Sequence, residues 1–247
     1  RIITASSGNR GMACALAASR LGIPATVVVP VPTPQIKKDY IRSLGANLLE
    51  IGETYDDSFL AACEFAETEK MFYVHPVSDR YTVAGQGTIT LELLEQIPDL
   101  DQVIVPIGGG GLITGISFAM KQLKPSVKIV GVMPVGSAVY YASRQAGNLL
   151  TLKHCASIAD ACVRKTGEPY LYPYIEQYVD EIVTVTEDSI RKAVKMACLY
   201  GKLTLEGAGA MPLASLLENK CQAIGKTVLI CSGGNIDQRM LSACLNV

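Results

Sequence analysis

Short β-branched runs alternate along the chain with stretches whose apolar positions recur at helical spacing, a rhythm that predicts βα units around parallel sheets. The runs at 1–5, 25–29, 47–51, 71–74, 102–106, 128–133, 181–185 and 227–231 read as strands. Between them, 11–21, 34–44, 56–70, 83–96, 112–123, 187–200, 210–219 and a last segment from 236 read as helices. In 56–70, Phe59, Leu60, Cys63 and Ala66 fall where one face of a helix would collect them. Residues 170–178, rich in Tyr and Pro, read as a surface connection. No internal repeat or low-complexity stretch breaks the pattern, and the chain opens directly on a strand. A change of layer near residue 72 predicts two domains, 1–72 and 73–247, each built on its own parallel sheet.

Composition narrows the partners. Of the 247 residues, 49% are hydrophobic and 18% charged, which excludes a disordered chain. Lys and Arg total 22 against 23 Asp and Glu, so the strong positive field that a nucleic acid or an anionic membrane demands is missing, and a small molecule is the expected partner. The longest apolar stretches, such as 25–32 and 103–107, fall short of the roughly 20 residues of a membrane span, so no membrane partner is expected. Eight cysteines without a C-x-x-C pair sit mostly in apolar patterns, as free thiols would. Residues 1–6 show no leader-like pattern, and both features predict a cytoplasmic protein.

The sharpest local feature is a buried-strand pattern, Val103-Ile104-Val105-Pro106-Ile107, that runs into Gly108-Gly109-Gly110-Gly111 and then a helix beginning at Leu112. Consecutive glycines let backbone N–H groups converge on an anion at a helix N-terminus, so a phosphate is the expected guest. A dinucleotide is disfavoured, because Thr114 stands where a third glycine is wanted and the next strand ends at Met133 instead of an acidic residue. Gly225-Lys226-Thr227 is no nucleotide loop either, since Lys220 replaces the required glycine and the triplet precedes a strand. Two further loops share the strand-to-helix plan, Ser6-Ser7-Gly8-Asn9-Arg10-Gly11 and Ser232-Gly233-Gly234-Asn235, and three such loops at strand carboxyl ends are expected to meet in one crevice.

Taken in order, Ser6-Ser7-Gly8-Asn9, Pro34-Gln35-Ile36-Lys37, Ala84-Gly85-Gln86-Gly87-Thr88, the tetraglycine, Glu206-Gly207-Ala208-Gly209-Ala210 and Ser232-Gly233-Gly234-Asn235-Ile236-Asp237 resemble the fold type II pyridoxal-phosphate enzymes. The resemblance is to the threonine/serine dehydratase and serine racemase group, and it runs over nearly the whole chain. It implies a two-domain α/β fold of the tryptophan synthase β kind and pyridoxal 5'-phosphate as cofactor. Carried over residue by residue, it assigns Gly108, Gly109, Gly110, Gly111 and Leu112 to the cofactor phosphate, Asn9 to the pyridine 3'-oxygen, and Ser232 with Gly233 to the pyridine nitrogen side. Glu206 is implied to lie near the ring, although a structural helix cap would look the same. Ser6, Ser7, Gly8 and Arg10 are implied to hold the substrate carboxylate, with Ser7 as the acid/base on the second face in racemase relatives. A homo-oligomer, dimer or tetramer, is implied as well.

Several positions depart from that pattern. Arg10 stands where the family has histidine, to grip an anion or to face solvent. Ala161 replaces a glycine after Asp160, where a methyl would crowd the ring, and Pro212 requires that its helix start within the preceding turn. Relatives with a metal site carry carboxylates where this chain has Met133 and Val139, so no metal is expected. The family's cofactor lysine sits in a Lys-x-Arg-Gly-Ala segment that the resemblance places ahead of the opening strand. Neither Lys37 nor Lys165 takes that role, the lysines in general are expected on surface helices, and the chain is expected to be N-terminally incomplete. The function implied for the complete form is deamination of L-threonine or L-serine to a 2-oxo acid and ammonia. The alternatives are a serine racemase-type activity and a catalytically silent truncated homologue that binds a phosphate ligand or a partner.

Overall fold

The computed structural model describes residues 1–6, 8–33 and 35–246, so Ser7, Pro34 and Val247 lie outside the described residues. Val27, Val28 and Val29 show how the first sheet is made. All three are fully buried, yet Val27 and Val29 pack with Met12, Ala15 and Ile41 while Val28 packs with Ile3, Ala5, Ala62 and Ala66. A strand with apolar residues on both faces needs a helical layer on each side. Here α1 (Asn9–Leu21) and α2 (Gln35–Ser43) supply one, and α3 (Tyr55–Thr68) the other. The strands are β1 (Ile2–Ala5), β2 (Ala25–Val29), β3 (Asn47–Glu50) and β4 (Phe72–Tyr73), all parallel, in the order β3-β2-β1-β4. One lysine leaves the expected surface: Lys38 is buried, and its ammonium donates to Val31 O at 2.6 Å and Glu50 Oε2 at 2.7 Å.

The chain divides into two units, Arg1–Thr82 and Val83–Val247. The division falls after Thr82 and not at 72, because β4 pairs with β1 and the stretch beyond it is tied back through Thr82, whose hydroxyl donates to His75 O at 3.1 Å.

The second unit repeats the parallel plan in the order β7-β6-β5-β8, with β5 (Gln102–Pro106), β6 (Lys128–Pro134), β7 (Glu181–Val185) and β8 (Thr227–Leu229). Ile104, Val130, Val132, Val183 and Val185 face α8 (Glu187–Leu199), α9 (Gly207–Leu217) and α10 (Gln238–Leu245) in one apolar cluster. On the opposite face of β6, a side chain at Gly131 would strike Ile107 and the Ile113 of α5 (Gly111–Leu123). The helix α4 (Arg80–Gln96) crosses α5 closely: a methyl on Gly115 would strike Val83 O, and Thr90 Oγ1 donates to Ile116 O at 3.1 Å. The Ala84-Gly85-Gln86-Gly87 motif therefore includes a packing surface between helices.

Three local readings change. Residues 170–178 are not a plain connection, because α7 (Tyr172–Tyr178) runs through them with Pro173 in its first turn, where no N–H is needed. Its signal was the four-residue spacing of Tyr170, Tyr174 and Tyr178, and Tyr174 and Tyr178 pack edge-on against Phe118 at 6.3 and 5.4 Å between ring centroids. A further helix, α6 (Val139–Ala146), was not read from the sequence. Finally, α9 starts at Gly207, so Pro212 lies inside the helix and not in its first turn.

Candidate active site

The glycine run joins β5 to α5 in the second unit. Gly110 is the N-cap of α5 with φ of +96°, a left-handed conformation that only glycine adopts without strain. The first turn of α5 leaves N–H groups without partners inside the helix, and its dipole adds positive potential there. What lies behind the loop fixes its shape. A methyl on Gly108 would stand 2.8 Å from Ala161 O and 2.9 Å from Cys162 Cα, and one on Gly110 would stand 2.9 Å from both Ile175 Cδ1 and Tyr140 Oη. The loop is thus pressed backbone-first onto a wall, with no space for side chains at these two positions.

That wall is held in turn. Ser137 Oγ accepts from Arg164 N at 2.9 Å and lies 3.2 Å from Cys162 O, and Glu187 Oε2 accepts from Ile158 N at 2.8 Å, which pins the segment 158–164 behind Gly108. Burial pushes the Cys162 thiol up to about 12, helped by the negative charges of Glu206 and Asp160, so it packs as a neutral group. Ala161 is exposed, and it is its carbonyl oxygen that a side chain at Gly108 would meet.

The loop after β8 joins the same region through α9. Glu206, the buried N-cap of that helix, donates its N–H to Gly233 O at 3.0 Å. A methyl on Gly209 would lie 2.5 Å from that same oxygen. Ser232 is exposed beside it. Within the second unit, therefore, Gly108–Gly111, Glu206 and Gly233 are linked by direct packing through 158–164 and α9.

The remaining predicted residues belong to the first unit. There Ser6 Oγ accepts from Gly8 N at 3.3 Å, Gly8 is the N-cap of α1, and Asn9 opens that helix. Ser7 lies outside the described residues. Both hydrogen bonds described for Arg10 tie α1 to the end of the unit, through His75 O at 3.3 Å and Thr82 Oγ1. Met133 and Val139 are fully buried apolar residues, and among the described residues no cluster of metal-ligating side chains is found.

Residues 1–233 match the family model described as pyridoxal-phosphate dependent enzyme. The chain belongs to that family. The L-threonine ammonia-lyase of Geobacter sulfurreducens is 40% identical over 242 residues, which are 98% of this chain and 60% of that protein. The chain therefore spans about 60% of that relative's length. The processed form of threonine deaminase isoform 2 from Solanum lycopersicum superimposes with a TM-score of 0.92 at 35% identity, covering 99% of this chain and 72% of that one. Maize serine racemase gives a TM-score of 0.92 at 35% identity over 99% of this chain and 76% of its own. The pyridoxal-phosphate family, its cofactor and the two-sheet α/β fold are those expected from the motifs. The residues present fit the cofactor's phosphate: an anion at the N-terminus of α5 needs bare backbone, and Gly108 and Gly110 have no room for anything else. No helix among the described residues is long and apolar enough to cross a membrane, and all eight cysteines are free.

Sequence reasoning missed the buttress. Tyr140, fully buried, donates from Oη to Gly109 O at 2.9 Å and accepts from Glu168 N at 2.8 Å. The only signal was the start of the unread helix α6, where Val139, Tyr140 and Ser143 share its buried face.

Proposed function

We propose that the full-length protein is a pyridoxal 5'-phosphate-dependent dehydratase that deaminates L-threonine or L-serine to a 2-oxo acid and ammonia. The observation that carries the reading is the tetraglycine loop, pressed onto 158–164 and Tyr140 so that its free face is backbone at a helix N-terminus. In this reading Gly108, Gly109, Gly110, Gly111 and Leu112 hold the cofactor phosphate by N–H groups. Ser232 gives the pyridine nitrogen a neutral hydroxyl partner, with Gly233 alongside. Asn9 meets the 3'-oxygen, and Glu206 keeps a carboxylate near the ring. Ser6, Ser7 and Gly8 hold the substrate carboxylate at the N-terminus of α1, where the helix dipole favours an anion. Arg10 fixes the start of α1 through its bonds to His75 O and Thr82 and adds its positive charge beside that carboxylate site. When bound, the cofactor supplies an electron sink for the negative charge that develops at Cα as its proton leaves.

In the same reading the first unit, Arg1–Thr82, serves as the small domain and the second, Val83–Val247, as the cofactor domain. The working form is a cytoplasmic homo-oligomer, a dimer or tetramer.

The test is turnover by the full-length protein loaded with pyridoxal 5'-phosphate. Formation of 2-oxobutanoate from L-threonine is expected. D-serine formed from L-serine without 2-oxo acid would reassign the site to racemisation, the activity that the name of the maize neighbour carries. Phosphate binding without either product would mark a silent homologue.

A further inference from the structure

Four successive glycines are the softest backbone a chain can offer, and nothing within the loop itself prevents the peptide between Gly109 and Gly110 from turning over. A site that depends on the direction of those N–H groups needs an outside constraint. Tyr140 supplies one. Its hydroxyl carries a single proton, and because Glu168 N–H donates to Oη at 2.8 Å, that proton is left for Gly109 O at 2.9 Å. The ring is clamped: a methyl on Gly167 would lie 2.8 Å from its Cε1, and the side chain is fully buried. In a planar trans peptide the C=O of Gly109 and the N–H of Gly110 point in opposite directions, and the described chain contains no cis bond. Drawing the carbonyl inward to the phenol therefore turns the Gly110 N–H away from it, to the free side of the loop. Burial pushes the phenol up to about 12, which keeps it a donor throughout the neutral range.

We propose that Tyr140 is a positioning residue for the cofactor phosphate: its hydroxyl holds the Gly109 carbonyl inward and so keeps the Gly110 N–H aimed at the anion. This rests on the phosphate reading of the tetraglycine loop given above. It adds a residue that none of the motifs contains.

The experiment compares full-length wild type, Tyr140→Phe, Tyr141→Phe and Gly110→Val, each titrated with inorganic phosphate and with pyridoxal 5'-phosphate, and with the 31P resonance of the bound phosphate recorded. Tyr140→Phe keeps the ring and removes both hydrogen bonds, and it is expected to weaken both ligands about tenfold and to move the 31P signal, while KM for the amino acid at saturating cofactor stays near wild type. Tyr141→Phe, on the neighbouring side chain, is expected to change neither. Wild-type affinity and an unmoved 31P signal in Tyr140→Phe, with binding lost in Gly110→Val, would overturn the tyrosine's role and leave the phosphate reading intact. Wild-type affinity in Gly110→Val would overturn that reading itself. Should Tyr140→Phe fail to fold, amide exchange on the unaltered protein decides: phosphate must slow exchange at Gly110, and an unchanged rate there overturns the proposal.

Discussion

The loop after β1 and the loop after β5 share one plan, a parallel strand ending in small residues that open a helix, yet they are constrained in opposite ways. After β5 the restraint comes from behind: Gly108 and Gly110 have backbone, Cys162, Ile175 and Tyr140 where a side chain would stand. After β1 a methyl on Gly11 would strike Ser6 O, but around Gly8 the restraint is carried by side chains. Ser6 Oγ accepts from Gly8 N, Arg10 ties the helix to His75 O and Thr82, and a methyl on Gly8 would meet nothing within 4 Å. A glycine-bearing motif can therefore mean two things. In the second unit it marks a surface shaped by exclusion of side chains, whereas in the first only Gly11 is closed off, by Ser6 O, and the space beside Gly8 at the helix start is open.

The largest effect should come from attacking the excluded surface. Gly110→Val combines a left-handed φ of +96° with contacts at 2.9 Å, and strain and overpacking each cost about 1–3 kcal/mol. We expect a stability loss of about 3–5 kcal/mol in denaturant unfolding and no measurable phosphate binding. A folded variant with wild-type stability and affinity would erase the distinction between the loops.

A second, smaller effect separates the units by pH. Because the Tyr140 phenol is raised from 10 to about 12, its neutral form is favoured in the folded state. Its contribution is fully present below pH 10 and is lost as pH rises from there through about 12, since the unfolded phenol ionises first. That loss amounts to about 3 kcal/mol. Tyr140→Phe should remove this part of the alkaline limb. The part due to Tyr73 in the first unit, whose phenol burial also raises, should remain. An alkaline limb identical in the variant and wild type would show that Tyr140 is not protected as described.

Arg10 provides a test of the tether. Arg10→Met keeps an apolar stem and removes the bonds to His75 O and Thr82, which for a partly exposed guanidinium should cost about 1–2 kcal/mol. Thermal unfolding measures it. Unchanged stability together with weakened substrate binding would mean that Arg10 serves the ligand and not the tether.

Much of this was legible in the sequence because period and position agree there. The alternation in 25–29 puts Val28 opposite Val27 and Val29, and the structure packs them on two faces. The tetraglycine after a buried strand announced itself in the same way. What stayed hidden depends on contacts far apart in the chain. Tyr140 looks like any buried aromatic until Gly109 and Glu168, 31 and 28 residues away, are seen to meet its hydroxyl. The helix α7 was hidden for another reason, since Pro173 reads as a breaker unless it is known to fall in a first turn. For Arg10 the sequence left an anion or solvent open, because residue type alone does not show that His75 O and Thr82 lie within its reach.

The smallest effect is the most informative about the first loop. Gly8 has φ of −114° and ψ of −158°, extended backbone open to any residue, and free space around its missing side chain. Replacing it with alanine restricts the unfolded chain, which stabilises by about 0.4–1 kcal/mol. It also puts a poor residue at the N-cap of α1, which costs a similar amount, about 0.5–1 kcal/mol. The hydrogen bond from its N–H to Ser6 Oγ survives the change, so the two terms should nearly cancel and leave stability within about 0.5 kcal/mol of wild type. Substrate affinity measured on the same Gly8→Ala preparation then reports on the loop alone, and a fall in affinity at constant stability would locate a bound group in the space beside Gly8. A stability loss above about 2 kcal/mol would mean that Gly8, like Gly11, is held by exclusion, and the contrast with the tetraglycine loop would fail.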